Sequence, residues 1–395
     1  MNKLSLSDLE LSGKRVFMRV DFNVPLSEGG IADDSRVQAA LPSIRHVVAV
    51  GGRLVLGSHL GRPKGKRKES LSLRPLSDRL GQLLGKSVGF AVESIGSETC
   101  AQVDRLTDGD VLLLENLRFH SGEEANDRSF SAELARLCDV FVNDAFGTAH
   151  RAHASTAGIA AHVGQSAAGF LMQREIEVLD HALHAAERPY VSIVGGAKIS
   201  GKIELIENFL EIADDILIGG AMAYTFFRAQ GLATGKSLVE EDRLTLAREL
   251  FETAREQGTE IQLPRDHVVA TDFEGSSLRT VGVDQTASDE MGLDIGPETV
   301  QAYEAIIKKA RTIVWNGPMG VFENEKFAAG TFAIARAVAG SNSFSIVGGG
   351  DSASAVIQSG VAGEITHIST GGGASLEFLS GRKLPGVEAL ADTMA

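Results

Sequence analysis

The chain has 395 residues, of which 43% are hydrophobic and 23% charged, and its formal net charge at pH 7 is −14. This composition is typical of a soluble globular protein with two or three domains. No apolar run reaches the roughly 18 residues that cross a bilayer, and the N-terminal segment lacks the apolar core of a signal peptide. We therefore expect a cytoplasmic protein without a membrane partner.

The cysteines and the distribution of charge narrow the class further. Cys100 and Cys138 are too few for a disulfide framework and lack CxxC metal spacing, which favours a reducing compartment. Residues 1–172 hold 20 basic and 20 acidic residues, whereas residues 173–395 hold 18 and 32. This asymmetry indicates two separate bodies, and nothing in it indicates a nucleic-acid partner.

Short apolar runs that end in Gly, Asn or Asp predict the strands. These runs are rich in Val, Ile and Leu with little alternation, which is typical of parallel strands buried on both faces. In chain order they are RVFMRVDFN (15–23), RLVLGSH (53–59), DVLLLEN (110–116), DVFVND (139–144), YVSIVGG (190–196), DILIGG (215–220), TIVWNG (312–317), FSIVGGG (344–350) and ITHISTGGG (365–373).

Helical patterns such as RPLSDRLGQLL and KIELIENFLEIAD lie between these runs. Strands that alternate with helices predict two doubly wound, parallel-sheet α/β domains of the Rossmann-like type. The continuous helical pattern QREIEVLDHALHAAER (173–188), closed by Pro189, predicts a hinge helix. The expected domains are therefore 1–172 and 189–381.

Cationic residues follow the predicted strands of the first half. Ligands of open parallel sheets bind beyond the carboxyl ends of the strands, and those ends meet at one edge of the sheet. The pattern predicts an anion site there, although any one of the arginines alone would suit a surface salt bridge. Arg36 follows the first strand in a polar loop, and the other candidates are Asp21, Asn23, His59, Arg62, Arg118 and Arg151.

The stretch SHLGRPKGKRK (58–68) carries five Lys or Arg residues. His59 and Arg62 come directly after a predicted strand, so we expect them to contact the ligand. The residues from Lys64 to Lys68 lie farther out, where a solvated loop with a role in steering anions is the expectation.

Glycines end the strands of the second half, at Gly195–Gly196, Gly219–Gly220, Gly317 and Gly348–Gly350. Each pair alone would indicate a tight turn, but four at one sheet edge favour a nucleotide, because glycine lets backbone N–H groups approach phosphate. The spacing from Gly196 to Lys202 matches GxxxxGK, yet Ile203 lacks the hydroxyl of a P-loop. Lys198 and Lys202 are then free to bind phosphate. Asp351 is the metal candidate, with helix capping as the alternative role.

Together these motifs resemble the phosphoglycerate kinases over essentially the whole chain. The similar blocks, in family order, are RVFMRVDFNVP, SHLGRPKG, LLENLRF, NDAFGTAHRAHAS, GGAKISGKI, MGLDIGPET, WNGPMGVFE, GGGDS and STGGGAS. Two positions depart from the family pattern, Gly201 where an acidic residue is usual and Ser352 where Thr is usual. Neither departure removes a charge that catalysis is expected to need.

The resemblance implies two substrate sites and a C-terminal segment, after about Arg382, that returns to the N-terminal domain. The N-terminal domain would bind 3-phosphoglycerate through Asp21, Phe22, Asn23, Arg36, His59, Leu60, Gly61, Arg62, Arg118 and Arg151. The C-terminal domain would bind ATP or ADP with Mg²⁺ through Lys198, Lys202, Gly292, Glu323, Gly349, Gly350, Asp351 and Ser352. The glycines at the strand ends of the second half, which we call the glycine edge, add Gly196 and Gly219 to this site. Asp351 would hold the Mg²⁺.

The implied reaction is reversible phosphoryl transfer between 1,3-bisphosphoglycerate and ADP. In the reverse direction the phosphoryl acceptor is a carboxylate, which is already ionised at pH 7, so no general base is needed. Alignment and neutralisation of charge are needed instead, and Arg36, Lys198 and the backbone N–H groups of Gly371, Gly372 and Gly373 are the candidates. We also expect a monomer that closes around both substrates by flexing near residues 173–188 and Ser369–Gly373.

Other functions remain open at this point. A different two-domain small-molecule kinase would share the architecture. A dinucleotide dehydrogenase is disfavoured, because no GxGxxG with an acidic residue about 20 positions later follows the first strand. A non-catalytic hinge-type binding protein would need the arginines but not Lys198, Glu323 and Asp351 together.

Overall fold

The computed structural model describes residues 2–27 and 30–393. The chain forms two compact units: unit 1 comprises Met1–Glu177 and Lys383–Ala395, and unit 2 comprises Val178–Arg382. Among the helices of the described residues, none is both long and apolar enough to cross a membrane.

The strands are short and fall where the apolar runs predict them, with additional strands at the edges of the large sheets and in two small antiparallel sheets. In chain order they are β1 Arg15–Arg19, β2 Leu26–Ser27, β3 Gly30–Ile31, β4 Arg53–Gly57, β5 Gly89–Ala91, β6 Val111–Leu114, β7 Val140–Asn143, β8 Ser166–Ala168, β9 Tyr190–Val194, β10 Asp215–Ile218, β11 Glu260–Gln262, β12 Asp266–Ala270, β13 Arg279–Gly282, β14 Met291–Ile295, β15 Thr312–Asn316, β16 Phe344–Gly348 and β17 His367–Ile368.

Helices connect these strands across both faces of the sheets, with short 3₁₀ turns in some of the loops. The α-helices are α1 Ser35–Ala49, α2 Arg74–Leu84, α3 Ser97–Asp104, α4 Ser121–Glu124, α5 Arg128–Ala135, α6 Phe170–His184, α7 Ile203–Ile212, α8 Met222–Ala229, α9 Leu244–Gln257, α10 Pro297–Ile307, α11 Ala329–Ala339, α12 Gly350–Gln358, α13 Gly373–Leu379 and α14 Pro385–Glu388.

Unit 1 is built on a six-stranded sheet in the order β5-β6-β4-β1-β7-β8, in which every pairing is parallel. All residues of β6 and β7 are buried, as their unbroken apolar runs predict. The chain places β4, β6 and β5 on one side of β1, then β7 and β8 on the other. This reversal is the switch point at which doubly wound sheets bind ligands.

Unit 2 repeats this architecture with the order β11-β10-β9-β15-β16-β17, again with every pairing parallel. The predicted fold class of two doubly wound parallel-sheet domains is therefore confirmed. A separate antiparallel sheet, β13-β12-β14, also belongs to unit 2. The sequence patterns did not predict this small sheet, because charged residues interrupt its strands and one of them, β13, is largely exposed.

Helix α6 differs from the predicted helix 173–188, since it begins at Phe170 and ends at His184. Its start lies earlier because side chains from elsewhere in unit 1 accept the first N–H groups of the helix. Ser43 Oγ accepts from Phe170 N at 2.9 Å, and Asp144 Oδ1 accepts from Leu171 N at 2.9 Å. The division between the two compact units falls within this helix, after Glu177.

The segment from Lys383 onward belongs to unit 1 through backbone and side-chain bonds. Gly386 N donates to the Ala149 carbonyl at 2.8 Å, and Asn143 Nδ2 donates to the Gly386 carbonyl at 3.1 Å. Near the other end of the segment, Asp392 pairs with Lys3 at 2.8 Å. The last two residues of the expected return segment lie outside the described residues.

Candidate functional site

The carboxyl edge of the unit 1 sheet gathers the predicted cationic residues. Arg36 lies in the first turn of α1 and not in a loop as predicted, and it pairs with Asp21, which follows β1, at 2.6 Å. The Arg36 side chain is 40% exposed, while Asp21 is largely buried. The ion pair therefore holds a half-exposed guanidinium at the edge of the sheet, where it can still reach a ligand.

Behind this edge lies a buried network of hydrogen-bonded polar and charged side chains that the sequence analysis missed. Arg19, the last residue of β1, donates from Nε to Ser155 Oγ at 2.8 Å and from NH2 to His59 Nδ1 at 3.2 Å. Ser155 Oγ in turn donates to Glu123 Oε1 at 2.6 Å. An arginine within the apolar run of a strand is the signal that could have revealed this network, because buried charges need partners.

The protonation of His59 follows from these contacts. A guanidinium only donates, so His59 Nδ1 accepts and the neutral ring carries its proton on Nε2. Burial, followed by the charges of Arg19, Arg118 and Arg36, holds the pKa of His59 well below its ordinary value. Burial and neighbouring arginines also lower the pKa of His153 to about 4. Both rings are thus neutral at pH 7, and the positive charge of the site comes from the arginines.

Arg118 has the clearest unmet hydrogen-bonding capacity in this group. Only 2% of the residue is exposed, and its NH1 donates to the Gly61 carbonyl at 3.0 Å. Its Nε lies 3.5 Å from Glu124 Oε1, and neither Nε nor NH2 has a hydrogen-bond partner among the described residues. Burial and the neighbouring Arg19 and Arg151 lower its pKa. A buried guanidinium with unused donors fits an anionic ligand.

The other predicted residues take different places. Asn23 Oδ1 accepts from Gly61 N at 2.8 Å, which fixes the loop after β4. The side chains of Phe22 and Leu60 are buried in the hydrophobic core of unit 1, so only their backbones could serve the site. Arg62 is exposed, and Arg151 is half-buried with Nε 3.0 Å from His150 Nε2.

The basic loop after β4 is anchored rather than free. Arg67 pairs with Glu69 at 2.8 Å and with the buried Glu115 at 3.5 Å. Gly65 N donates to the carbonyl of Arg118 at 3.1 Å, which fixes the loop beside the cationic site. The remaining basic residues of the loop point to solvent, and they are Lys64, Lys66 and Lys68.

In unit 2 the glycines at the strand ends have a packing role of their own. Gly195 N donates to the carbonyl of Asn316 at 2.9 Å, and Gly196 N donates to that of Pro318 at 2.9 Å. A Cβ on Gly195 would lie 2.1 Å from the Pro318 carbonyl oxygen, and one on Gly317 would lie 2.2 Å from that of Gly195. The backbones of two neighbouring strand ends therefore meet too closely for any side chain.

Beside these glycines lies a cavity of about 550 Å³ within unit 2. Four of the predicted nucleotide-site residues line it: Gly196, Gly292, Glu323 and Asp351. Most of its wall is apolar, and much of that wall comes from the small antiparallel sheet and from the loop after β15. The main apolar and aromatic lining residues are Tyr224, Phe227, Leu238, Phe273, Leu293 and Met319.

Six predicted residues do not line the cavity, and they differ in exposure. Gly219 is buried, and a Cβ there would meet the Met319 sulfur at 2.4 Å. Lys198 is exposed in the loop between β9 and α7. The other four are Lys202, Gly349, Gly350 and Ser352.

Lys202 is the partly buried cation of this edge. Its Nζ donates to Asn316 Oδ1, a residue the sequence analysis did not single out, and to the Asn316 carbonyl at 3.3 Å. Burial lowers the pKa of Lys202 to about 8, and the charge of Asp351 opposes that fall. The ammonium is thus charged at pH 7 but close to its titration range.

Helix α12 places Asp351 and Ser352 in its first turn. The Ser352 hydroxyl accepts from Gly317 N at 2.6 Å, so serine supplies here the hydroxyl that threonine would offer. Gly349 is the N-cap residue, and no side chain caps the helix. The exposed carboxylate of Asp351 therefore does not serve as a cap.

That carboxylate fits a magnesium ion. Within residues 2–27 and 30–393, no group of three or more His, Cys, Asp or Glu side chains could hold a metal. Mg²⁺ commonly binds through one or two carboxylates, several waters and the phosphates of a nucleotide. A single exposed carboxylate near Lys202 and at the wall of the cavity matches that mode of binding.

Elsewhere in unit 2, α13 begins at Gly373 with Gly372 as its N-cap, so these two glycines form a helix start.

Comparison with known proteins identifies the family. The family model "Phosphoglycerate kinase" matches residues 6–382. The phosphoglycerate kinase of Moorella thermoacetica is 56% identical over 393 residues, and that of Chlorobium phaeobacteroides is 55% identical over 397; each alignment covers 99% of this chain and 100% of the relative.

Solved structures agree with this match. The phosphoglycerate kinase structure from Coxiella burnetii superposes with a TM-score of 0.91 at 42% identity, and that from Pyrococcus horikoshii with 0.84 at 35%. Both alignments cover 98% of this chain and 98% of the other. The chain therefore belongs to the phosphoglycerate kinase family, and it is a phosphotransferase.

Proposed function

We propose that the chain catalyses Mg²⁺-dependent phosphoryl transfer from 1,3-bisphosphoglycerate to ADP, giving 3-phosphoglycerate and ATP, and the reverse reaction, in glycolysis and gluconeogenesis. The observation that carries this proposal is the buried Arg118 guanidinium, whose Nε and NH2 lack hydrogen-bond partners among the described residues. It lies in the field of Arg19 and Arg151. A small polyanion is the ligand that such a site suits.

In unit 1, 3-phosphoglycerate binds to Asp21, Asn23, Arg36, His59, Arg62, Arg118 and Arg151, with the backbone around Phe22, Leu60 and Gly61. Arg118 supplies charged donors from a site sheltered from water, where each donor is worth more than at the surface. Neutral His59 offers its Nε2–H as a further donor, because Arg19 occupies Nδ1.

In unit 2, the nucleoside occupies the apolar cavity and the phosphates follow the glycine edge. Gly196, Gly219, Gly349 and Gly350 give backbone access, while Lys198 and Lys202 supply charge. Gly292 and Glu323 line the cavity, and Ser352 holds the end of β15. Asp351 holds Mg²⁺, which supplies charge neutralisation at the nucleotide phosphates when bound.

The chemistry needs positioning rather than proton transfer. In the direction that forms 1,3-bisphosphoglycerate, the attacking group is the carboxylate of 3-phosphoglycerate. It is ionised at pH 7, so no side chain has to remove a proton. Charge spreads over the three equatorial oxygens of the transferring group, and donors aimed at those oxygens lower the barrier. We assign this role to Arg36, Lys198 and the backbone N–H groups of Gly372 and Gly373.

Direct transfer also requires the reacting atoms to come within roughly 3–3.5 Å of each other. Because each substrate site is built within its own unit, we propose that the domains 1–172 and 189–381 close by flexing near residues 173–188 and Ser369–Gly373. Small-angle scattering tests this step: both substrates together should reduce the radius of gyration more than either alone. We further propose a monomer in a reducing cytoplasm, since both cysteines are free thiols.

A coupled assay tests the activity itself. Purified protein with 3-phosphoglycerate, ATP and Mg²⁺ should form 1,3-bisphosphoglycerate, detected by an added dehydrogenase that consumes it. Replacing 3-phosphoglycerate with other small phosphorylated acids distinguishes this function from another two-domain small-molecule kinase. Turnover with another acid, and none with 3-phosphoglycerate, would reject the proposal.

A further inference from the structure

Tyr224 lies in the wall of the unit 2 cavity and belongs to an aromatic cluster. It comes from α8, is 4% exposed, and its ring centroid lies 5.7 Å from that of Phe227 and 5.3 Å from that of His267. All three residues line the cavity. The ring of Tyr224 is therefore held in place by its neighbours, and the position of its hydroxyl is fixed with it.

That hydroxyl lies against Gly292, another residue of the cavity wall. A Cβ built on Gly292 would lie 1.4 Å from Tyr224 Oη, so the oxygen occupies the space that any other residue at 292 would fill. Among the described residues no hydrogen bond to this hydroxyl is found. Burial raises the pKa of Tyr224, so the hydroxyl stays protonated and can both donate and accept.

Several other polar groups on this wall already have partners within the protein. Ser237 Oγ accepts from Gly292 N at 3.0 Å, and His267 Nε2 lies 2.9 Å from the Thr286 hydroxyl. The two carboxylate oxygens of Asp294 accept from backbone N–H groups at 2.9 and 2.6 Å. Among the described residues the Tyr224 hydroxyl has no such partner, and neither has His267 Nδ1 beside it. Since Tyr224 lines the cavity, a ligand bound there can supply the hydrogen bond that the protein does not.

We propose that the Tyr224 hydroxyl hydrogen-bonds the base of the bound nucleotide and sets the preference of this enzyme among purine bases. The proposal rests on the proposed function of the cavity as a nucleotide site. The base is favoured over the ribose because the wall around Tyr224 is aromatic and apolar, which suits a flat heteroaromatic ring. The exposed Glu323 carboxylate, at another part of the cavity lining, suits the ribose hydroxyls.

Calorimetric titration of the full chain tests the proposal, with Mg-ADP and Mg-tripolyphosphate as probes. Tyr224→Phe keeps the ring and removes the oxygen, so we expect Mg-ADP to bind roughly 3- to 10-fold more weakly. The tripolyphosphate has no base, and its affinity should stay within about twofold of the wild-type value. Equal affinity of wild type and variant for Mg-ADP, or equal weakening of both probes, would overturn the proposal.

The matched control is Tyr303→Phe. Tyr303 is also buried, but its hydroxyl donates to the Ile218 carbonyl at 2.7 Å and it does not line the cavity. This variant should lose thermal stability and keep its affinity for both probes.

The choice of base gives a second readout. Replacing the 6-amino group of adenine with the oxo group of hypoxanthine alters the base edge and leaves ribose and phosphates unchanged. If the hydroxyl contacts that edge, the ratio of Mg-ADP to Mg-IDP affinity should change at least about twofold in Tyr224→Phe. An unchanged ratio would overturn the proposed role of Tyr224 in the preference among purine bases.

The chain has three tyrosines, so ¹³C labelling at tyrosine Cζ gives a spectrum simple enough to assign. The Tyr224 resonance should shift with Mg-ADP and not with Mg-tripolyphosphate, whether or not the variant folds well. Failure of the wild-type chain to bind Mg-ADP at all would instead reject the nucleotide site, and with it the proposed function.

Discussion

The two units share one architecture, and each places its candidate site at the carboxyl edge of its own parallel sheet. The two sites nevertheless differ in chemistry. In unit 1 the site at this edge includes buried charged residues as well as exposed ones. Arg19 and Arg118 are buried, and His59 is held neutral between arginines. In unit 2 the edge is made of glycine backbone, and the cavity beside it is mostly apolar, with Lys202 as its partly buried cation.

The overall charge of each half does not indicate its ligand. Residues 1–172 are neutral in sum and residues 173–395 carry all the net negative charge, although both sites are proposed to bind polyanions. A small ligand that is nearly all charge needs charged donors on several sides, whereas a nucleotide offers an apolar base that can be bound separately from its phosphates. The doubly wound fold fixes where a ligand binds, and the residues at the strand ends decide which one.

The largest effect is expected at the half-exposed arginine of unit 1. Arg36→Ala should reduce kcat roughly 10²- to 10³-fold, because it removes a donor to the transferring group where charge grows in the transition state. The Michaelis constant for 3-phosphoglycerate should change less. Steady-state kinetics decide the point, with Arg53→Ala as control, since Arg53 pairs with Asp108 at the start of β4. An unchanged kcat with a raised Michaelis constant would assign Arg36 to binding alone.

Arg118 tests whether the buried charge of unit 1 serves the ligand or the fold. Arg118→Met should weaken 3-phosphoglycerate roughly 10- to 100-fold, since two charged donors without protein partners are lost. The unliganded protein should be as stable as wild type or more so, because a buried cation that burial disfavours is removed. Calorimetric binding and thermal unfolding of the same samples check both parts. A large loss of stability with intact binding would make Arg118 a structural residue.

Asp351 tests the metal assignment in unit 2. Asp351→Asn should weaken Mg-ADP about 10-fold or more and metal-free ADP by much less, because the carboxylate binds the ion rather than the nucleotide. Titrations with and without Mg²⁺ measure the difference. Asp289→Asn removes an exposed carboxylate that does not line the cavity, and should change neither affinity. Equal weakening of both ligands by Asp351→Asn would contradict the assignment.

Much of this arrangement could be predicted from the sequence. Each of the nine apolar runs contains a strand, and the rule that ligands bind at carboxyl ends placed Arg36 and Arg118 at one edge. The small sheet β13-β12-β14 was missed because charged or exposed residues interrupt its strands, so that they do not form unbroken apolar runs. It supplies part of the cavity wall, and of that part only Gly292 was predicted as a site residue.

Two other features depended on tertiary structure. Arg19 interrupts an apolar strand, and only the fold shows that Ser155 accepts its hydrogen bond while the Glu123 carboxylate behind Ser155 offsets its charge. Tyr224 lies on a helix that is buried almost all round, so its sequence pattern is that of a core residue. Patterns of hydrophobicity indicate which residues are buried but not which of them border a cavity.

Lys202 gives the unit 2 site a pH dependence that the arginines of unit 1 lack. Because burial holds the pKa of Lys202 at about 8, the ammonium is charged below that pH and neutral above it. Phosphate binding favours the charged form, so affinity for Mg-ADP should fall about 10-fold between pH 7 and pH 9. In Lys202→Arg the cation persists and the fall should disappear. Titrations across this range check the slope, and the same slope in both proteins would exclude Lys202 as its source.

The smallest effect is expected from the exposed lysines beside the unit 1 site. Replacing Lys64, Lys66 and Lys68 with Gln removes charge from an anchored loop without touching the buried arginines. Long-range attraction acts on encounter and is screened by salt, so kcat/KM for 3-phosphoglycerate should fall about two- to threefold at low ionic strength.

At about 0.3 M salt the difference should vanish, since the Debye length is then shorter than the distances over which exposed charges steer a ligand. Replacing the exposed Lys308, Lys309 and Lys383 with Gln is the matched control, and should leave kcat/KM for this substrate unchanged. A loss that persists at high salt would mean that one of the loop lysines contacts the bound substrate directly. The charged site of unit 1 would then extend beyond its buried arginines into the exposed loop.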